Sequence, residues 1–387
     1  MMKTYLAAAL AVWFWGIGPA CAQDATTAAA PSTELLAKDL REEVVRIQVT
    51  VKDMYGREAT KPVPITIYRP AGEGPFPLVV MNHGRSPADK RALQTRSRPE
   101  PVARYLVAKG FVVMAPTRIG YWETYGDFDP ESSACKTIEP MSIAASQQVL
   151  ATVEFAKTLP YVDASRWLVA GQSVGGLTTV ATVGRAPAGL LGGINFSGGT
   201  GGNPDLSPGS TCNPYATTRY WGDIAKNAKA PMLWMYWEND KYWGPSNPKT
   251  WHRAWVDGGG QAQFVGFGPS GKDGHYGVSE DMDHWLPVVD RFLQDLGFDQ
   301  PAIATGPPPS GFADLADQSS VPAGAAGRAA YAKFLEMAVP RAFAVSTRGG
   351  YGIARGDYAV GRALGNCQRY GNPCKLYAVD ADVVWTP

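Results

Sequence analysis

The pentapeptide Gly171-Gln172-Ser173-Val174-Gly175 sets a serine hydroxyl between two positions that lack a Cβ. It follows the short apolar run Trp167-Leu168-Val169-Ala170 and opens a stretch of small and β-branched residues from Leu177 to Val183. Strand, tight turn, helix is the setting in which Gly-x-Ser-x-Gly becomes a nucleophile elbow, a turn too sharp for side chains at its flanks. The pattern alone is weak in a chain with 43 glycines, so companion groups must carry the reading. A serine hydroxyl needs a base to take its proton, a carboxylate to orient that base, and donors for the tetrahedral oxyanion.

Four histidines are available as the base. His83 follows the apolar run Leu78–Met81 in His83-Gly84, where a glycine-permitted turn suits a loop carrying oxyanion donors. His252, within Thr250–Val256, reads as a packed or solvated residue of a surface helix. His284 adjoins the apolar stripe Trp285, Val289, Phe292, Leu296 and is the rival choice. His275, in Asp273-Gly274-His275-Tyr276, lies in a loop after the last strand and before that helix, where a base can swing over the strand ends. It is the expected base. The acid is sought between Ser173 and His275, where Glu238-Asn239-Asp240 caps the aromatic run Met232–Trp237. Asp240 is the expected acid and Glu238 its alternative; Asp273 sits too near His275 in one loop to orient the ring. The order serine, aspartate, histidine is neither the trypsin-like nor the subtilisin-like one.

These groups need a scaffold that brings distant loops to one rim. Glu43–Lys52 and Val63–Tyr68 alternate apolar and polar residues, as half-buried antiparallel strands do. Phe76–Met81 and Phe111–Ala115 are continuous apolar runs, suited to central strands covered on both faces. Further apolar strands are expected at Trp167–Ala170, Leu190–Phe196, Met232–Trp237 and Gln263–Phe267, with helices at Pro99–Lys109 and Met141–Leu159. Strands alternating with helices predict an α/β fold, a mostly parallel central sheet flanked by helices, with ligands beyond the strands' carboxyl ends.

The start of the chain reads as a signal peptide over residues 1–22: basic Met1-Met2-Lys3, an apolar run Leu6–Ile17, and Ala20-Cys21-Ala22 as a small-residue cleavage site. Cys21 raises a lipoprotein alternative, but Gly18-Pro19-Ala20 matches a lipidation box poorly. An exported chain is expected, periplasmic or secreted after cleavage near Ala22, with no membrane span. Loss of Lys3 takes the formal charge from +1 to zero, which offers no electrostatic case for nucleic acid. In an exported chain, Cys135, Cys212, Cys367 and Cys374 read as two disulfides, first choice Cys135–Cys212 and Cys367–Cys374. Zinc is the alternative, unsupported by any Cys-x-x-Cys pair or histidine cluster, so no metal is expected. Residues 23–298 are read as the catalytic domain, 299–325 as a linker rich in Pro, Ala, Gly and Ser, and 326–387 as a small disulfide-containing α+β module. In that module helices are expected near Arg328–Met337 and Tyr358–Asn366, and strands near Arg341–Ser346 and Lys375–Val384.

Residues from about 40 to 298 resemble an α/β-hydrolase of the dienelactone-hydrolase-like branch. The resemblance lies in Leu78-Val79-Val80-Met81-Asn82-His83-Gly84, Gly171-Gln172-Ser173-Val174-Gly175-Gly176, Glu238-Asn239-Asp240 and Gly274-His275. It implies the α/β-hydrolase fold, a cofactor-free Ser-Asp-His triad, and oxyanion donors from the backbone N–H of Val174 and of Arg85, with Ser86 the alternative to Arg85. Dienelactone hydrolases proper are intracellular and use cysteine, so Ser173 and a leader point instead to a general exported esterase, for small-molecule or polymer esters. Around the site, Tyr242 and Trp243 are expected as a pocket wall favouring an apolar or aromatic group. Arg118 is expected either at a substrate carboxylate or holding the acidic loop of Glu123, Asp127 and Asp129. Two other readings stand beside the esterase. One is a prolyl-oligopeptidase-like peptidase, weakened because no propeller-like repeat precedes residue 40; the other is a non-catalytic exported binding protein on the same scaffold.

Overall fold

The structure is a computed structural model that describes residues 36–131, 135, 137–299, 306–356, 358–370 and 373–387. The expected leader and Cys21 lie outside the described residues. Strands β1 (Glu43–Lys52), β2 (Glu58–Tyr68) and β3 (Phe76–Asn82) come first, then the short α1 (Ala88–Arg91), α2 (Glu100–Ala108) and β4 (Val112–Pro116). The middle of the chain forms α3 (Glu139–Ala156), β5 (Val162–Gln172), α4 (Val174–Gly184) and β6 (Leu190–Phe196). A small hairpin, β7 (Gly202–Asn203) and β8 (Ser207–Thr211), precedes α5 (Pro214–Ala225) and β9 (Met232–Trp237). Then come α6 (Ser246–Asp257), β10 (Ala262–Phe267), α7 (Gly277–Glu280) and α8 (Met282–Asp295).

Eight of these strands make one sheet in the order β1-β2-β4-β3-β5-β6-β9-β10. Only β2 runs against its neighbours; every pairing from β4 to β10 is parallel. The central strands are apolar on both faces because both are covered. In β5, Trp167 and Val169 enter the layer packed by α3, α4, α5 and α6, while Leu168 and Ala170 enter the layer packed by α2 and α8. Much of the tryptophan content serves that packing: Trp221, Trp234, Trp251 and Trp255 are fully buried in the first layer. Strand β2 begins five residues earlier than expected and includes Pro62 and Pro64. Those prolines lie opposite Gln48 and Arg46 of β1 at the margin of the β4 pairing, which begins at Ile65, and the Pro64 carbonyl accepts from Thr117 N at 2.8 Å.

The C-terminal residues form a second sheet, flanked by α9 (Ala325–Glu336) and α10 (Ala359–Gln368). Its strands are β11 (Arg341–Ser346), β12 (Tyr351–Arg355), β13 (Cys374–Val379) and β14 (Asp382–Val383), in the antiparallel order β12-β11-β13-β14. The single strand expected over Lys375–Val384 is a hairpin, turning at Asp380 with φ 51°. Alternation along β11 sends Phe343 and Val345 toward α9, and Ala342 and Ala344 toward α10, where small side chains let the helix come close. Of the expected linker, 300–305 lie outside the described residues, and the rest is mostly exposed but pinned to the module: Ser310 N–H donates to Val383 O at 2.9 Å and Val321 is buried beside α9.

Candidate active site

Ser173 is the single residue between β5 and α4, with φ 60° and ψ −123°. A non-glycine residue there is strained by about 1–3 kcal/mol and persists only when its surroundings over-determine it. They do: its N–H donates to Phe196 O at 3.0 Å, and its carbonyl accepts from Leu177 N at 3.0 Å and Gly199 N at 3.2 Å. The flanking glycines are required by space, because a Cβ on Gly171 would stand 2.2 Å from Gly175 O and one on Gly175 2.0 Å from Asn82 O. Val174 opens α4, so its N–H belongs to the first turn, where no intrahelical acceptor exists.

Asp240 and His275 converge from the turns beyond β9 and β10. His275 Nδ1 lies 3.0 Å from Asp240 Oδ2, and both residues are buried. Asp240 Oδ1 accepts the backbone N–H groups of Tyr242 at 2.8 Å and Trp243 at 3.1 Å. Its carboxylate is therefore fixed before the imidazole is counted. Glu238 is exposed and the structure gives it no such role. Asp273 acts on the backbone: its Oδ1 accepts from His275 N and Lys241 N, both at 3.0 Å, tying the two turns together. Gln172, beside the elbow serine, donates from Nε2 to His275 O at 2.9 Å, which ties the same loop to the β5 turn. Tyr242 stacks on the imidazole, ring centres 3.9 Å apart, and buried Trp243 meets it edge-on at 5.4 Å while donating from Nε1 to Ser197 O at 2.7 Å. The other histidines are elsewhere: His252 bonds Ala262 O at 2.9 Å from α6, and exposed His284 pairs with Asp281 at 2.5 Å.

The loop after β3 lies against the elbow, a Cβ on Gly84 being 3.2 Å from the Ser173 Cβ. Here the structure departs from one expected role. Arg118 is fully buried and does not reach for a ligand: it pairs with Glu131, and its Nη1 and Nη2 donate to His83 O at 2.6 Å and Gly84 O at 3.2 Å. Nor does it hold Glu123 or Asp129, which pair with Arg46 at 2.6 Å and Arg91 at 2.7 Å. A guanidinium has only donors, and carbonyl oxygens stacked on the near side of the loop consume them. Arg118 N–H also donates to His83 Nε2 at 3.0 Å, so that nitrogen is the acceptor and Nδ1–H donates to Gly84 O at 2.6 Å. Burial, reinforced by the Arg118 charge, pushes His83 down to about 3, and the ring is neutral. Burial raises the Glu131 carboxyl, but the Arg118 charge outweighs it and holds the group down at about 2. The Gly84 carbonyl is thus held by two donors. Because a trans peptide is planar, that also fixes the opposite direction of the Arg85 N–H. The Arg85 side chain turns toward Asp129, 3.4 Å away, and the Glu131 carbonyl.

Both expected disulfides are formed, Cys135–Cys212 and Cys367–Cys374. The first ties the long loop after β4 to the end of the β7–β8 hairpin. Among the described residues no group of three or more His, Cys, Asp or Glu could hold a metal ion, and no helix is long and apolar enough to cross a membrane. Sequence reasoning missed Glu131 and Gln172. Glu131 is one of several acids in a long loop with no pattern to single it out, whereas Gln172 stood inside the motif and its position beside the serine was the available signal.

No family model matches the sequence, and no curated protein does. Solved structures with a similar fold include a Klebsiella pneumoniae subsp. pneumoniae protein described as a dienelactone hydrolase, 18% identical, covering 67% of this chain and 99% of that one, with a TM-score of 0.43. The uncomplexed Pyrococcus horikoshii acylaminoacyl peptidase is 17% identical over 68% of this chain and 43% of its own length, at a TM-score of 0.45. The acetyl xylan esterase of Paenibacillus sp. R4 is 15% identical, covering 66% and 89%, at 0.44. This chain's own strand order, the single antiparallel β2 and the serine turn between β5 and α4 give it the α/β-hydrolase fold.

Proposed function

We propose that this chain is an exported serine hydrolase that cleaves carboxylic esters, with Ser173 as nucleophile, His275 as base and Asp240 orienting the base. The observation that carries the reading is the buried 3.0 Å contact of Asp240 with His275 Nδ1, on a turn bonded at 2.9 Å to Gln172, the neighbour of a serine strained at φ 60°. With Nδ1 bound to the carboxylate, Nε2 is the nitrogen left for the serine proton. The Ser173 Oγ–carbonyl carbon bond forms as that proton passes to Nε2. Collapse of the tetrahedral species breaks the bond to the alcohol oxygen, which departs with the proton. Water then repeats the sequence on the acyl-serine, releasing the acid and restoring the hydroxyl. The developing oxyanion is received by the N–H groups of Val174, at the positive end of α4, and Arg85. Half-buried Tyr242, stacked on the imidazole, offers an aromatic surface beside the base that favours an ester with an apolar or aromatic group, small or polymeric, while Trp243, expected beside it as a second wall, is fully buried and backs the base instead. The ester reading rests on the motifs' resemblance and on that surface. Export is supported by two disulfides, which persist in oxidising compartments. The layout that goes with it is a leader at 1–22, a catalytic domain at 23–298, a connecting segment at 299–325 and a C-terminal module at 326–387.

Ser173→Ala should lower turnover of p-nitrophenyl esters by roughly four to six orders of magnitude with the fold intact, and abolish fluorophosphonate labelling. Retention of more than about one part in a hundred of the activity rejects the assignment. Faster cleavage of proline-containing anilides than of esters would make the chain a peptidase, and absence of labelling in folded wild-type protein would make it a binding protein.

A further inference from the structure

Helix α10 approaches the hydrolase domain with two glycines in contact. A Cβ on Gly365 would lie 2.4 Å from Ser279 O and 3.2 Å from Met282 Sδ; one on Gly361 would lie 2.9 Å from Pro101 O. Those neighbours belong to α7, α8 and the start of α2. The approach is closed on its flanks by Tyr358, whose ring meets Tyr105 edge-on at 4.8 Å with Lys109 at 5.3 Å, and by the ion pair of Arg362 with Asp283. Ser279 stands four residues after His275. Its hydroxyl donates to Tyr276 O at 3.1 Å, and Tyr276 follows His275 directly. The same short segment packs at Gly277 on the indole of Trp237, where a Cβ would come within 2.2 Å. The turn carrying the proposed base is therefore gripped by the last strand before Asp240 and by a helix of the C-terminal module.

We infer that the C-terminal module is a working part of the hydrolase rather than a tether: α10, through Gly361 and Gly365, sets the position of residues 274–280 and hence of the His275 ring. Gly361 and Gly365 are positioning residues, since neither touches a reacting atom. The inference deepens the proposed function and rests on His275 as its base. Misplacing a catalytic group by an ångström costs about a hundred-fold, so the register of α10 against Ser279 O should be visible in turnover.

The test is Gly365→Ala in the full chain, with Gly361→Ala as the milder wedge should the first fail to fold. Phe334→Leu, in the α9-side core away from α10, serves as the control that loosens the module without touching the contact. Three quantities are read: kcat and KM on a p-nitrophenyl ester, the thermal midpoint, and the downfield proton resonance of His275 Nδ1–H against Asp240. The expected result for a glycine variant is kcat lower by about ten- to a hundred-fold, KM within about two-fold, and a shifted or broadened resonance. Phe334→Leu should lower only the midpoint. A glycine variant with a lower midpoint but unchanged kcat and resonance overturns the inference, as does one that loses only binding to an insoluble polymer. Wild-type protein without activity or serine labelling would instead sink the proposed function, and the resonance would still report whether α10 holds the histidine.

Discussion

Replacing Glu131 by glutamine removes one charge from a pair whose two side chains are wholly excluded from water. The carboxyl is held at about 2 against an ordinary value of 4.5, burial opposing and the Arg118 charge prevailing. At roughly 1.4 kcal/mol per pH unit that drop is worth about 3 kcal/mol of folding stability at neutral pH. An independent expectation agrees, since breaking a buried pair from one side costs about 3–5 kcal/mol. The sign follows from the direction. A carboxyl lowered on folding contributes in full above 4.5 and loses its contribution as the pH falls from there toward 2. Urea unfolding of wild type and Glu131→Gln should therefore differ by about 3 kcal/mol or more at pH 7, and the gap should narrow by about 2 kcal/mol at pH 3.

Because Arg118 also holds the carbonyls of His83 and Gly84, the same variant has a kinetic signature. With the counter-charge gone the guanidinium is held by neutral acceptors alone, and its grip on the Gly84–Arg85 peptide weakens. Turnover should drop by about ten-fold, short of the roughly 10²–10³ cost of deleting an oxyanion donor outright. A stability gap under about 1 kcal/mol at pH 7, or one that stays constant down to pH 3, would mean that the Arg118–Glu131 pair does not hold this loop.

Two further outcomes follow from the same geometry. Asp240→Asn should lower kcat by about 10⁴ in a steady-state ester assay, while Glu238→Gln, exposed and unengaged, should leave kcat unchanged and stability within about 0.5 kcal/mol. Removing Cys135–Cys212, with a sequence separation of 77, should cost about 4.5 kcal/mol on chemical unfolding, against about 2.5 kcal/mol for Cys367–Cys374 with its separation of 7.

What could be read from residues alone was whatever has a local physical cause. Continuous apolar runs marked β3, β4, β5, β6 and β9 because both faces of those strands are covered, and a period of two marked β1. The serine turn was legible because only glycine fits at 171 and 175. The front of β2 was hidden by Pro62 and Pro64, whose meaning depends on which strand lies beside them. The β13–β14 hairpin was hidden because Asp380, at φ 51°, sits in a positive-φ turn without the glycine that usually announces one. Arg118 illustrates a deeper limit. An arginine at a strand end looks the same in sequence whether it faces a substrate or a backbone, and only the fold placed Glu131 and two carbonyls around it. The choice between Asp240 and Glu238 was of the same kind: only in the structure is it visible that Asp240 receives the N–H groups of Tyr242 and Trp243 and that Glu238 is exposed.

The loops at this rim are not independently placed. Gln172 joins the serine turn to the histidine turn, Asp273 joins the histidine turn to the one bearing Asp240, and Arg118 joins the loop after β3 to the acidic loop beyond β4. Each tie runs from a side chain to a backbone group of a neighbouring loop, so each fixes a peptide plane and not merely a distance. A strained serine needs this arrangement: at φ 60° the elbow would relax unless the chain on either side were held by bonds that do not depend on it. The bonds from Phe196, Leu177 and Gly199 hold its own peptide groups, and the ties between loops keep its partners from following if it moved. It follows that substitutions at Gln172 or Asp273, neither of which touches a reacting atom in the proposed chemistry, should lower kcat through the geometry of Ser173, Asp240 and His275 and leave KM, set at the surface of Tyr242, nearly unchanged.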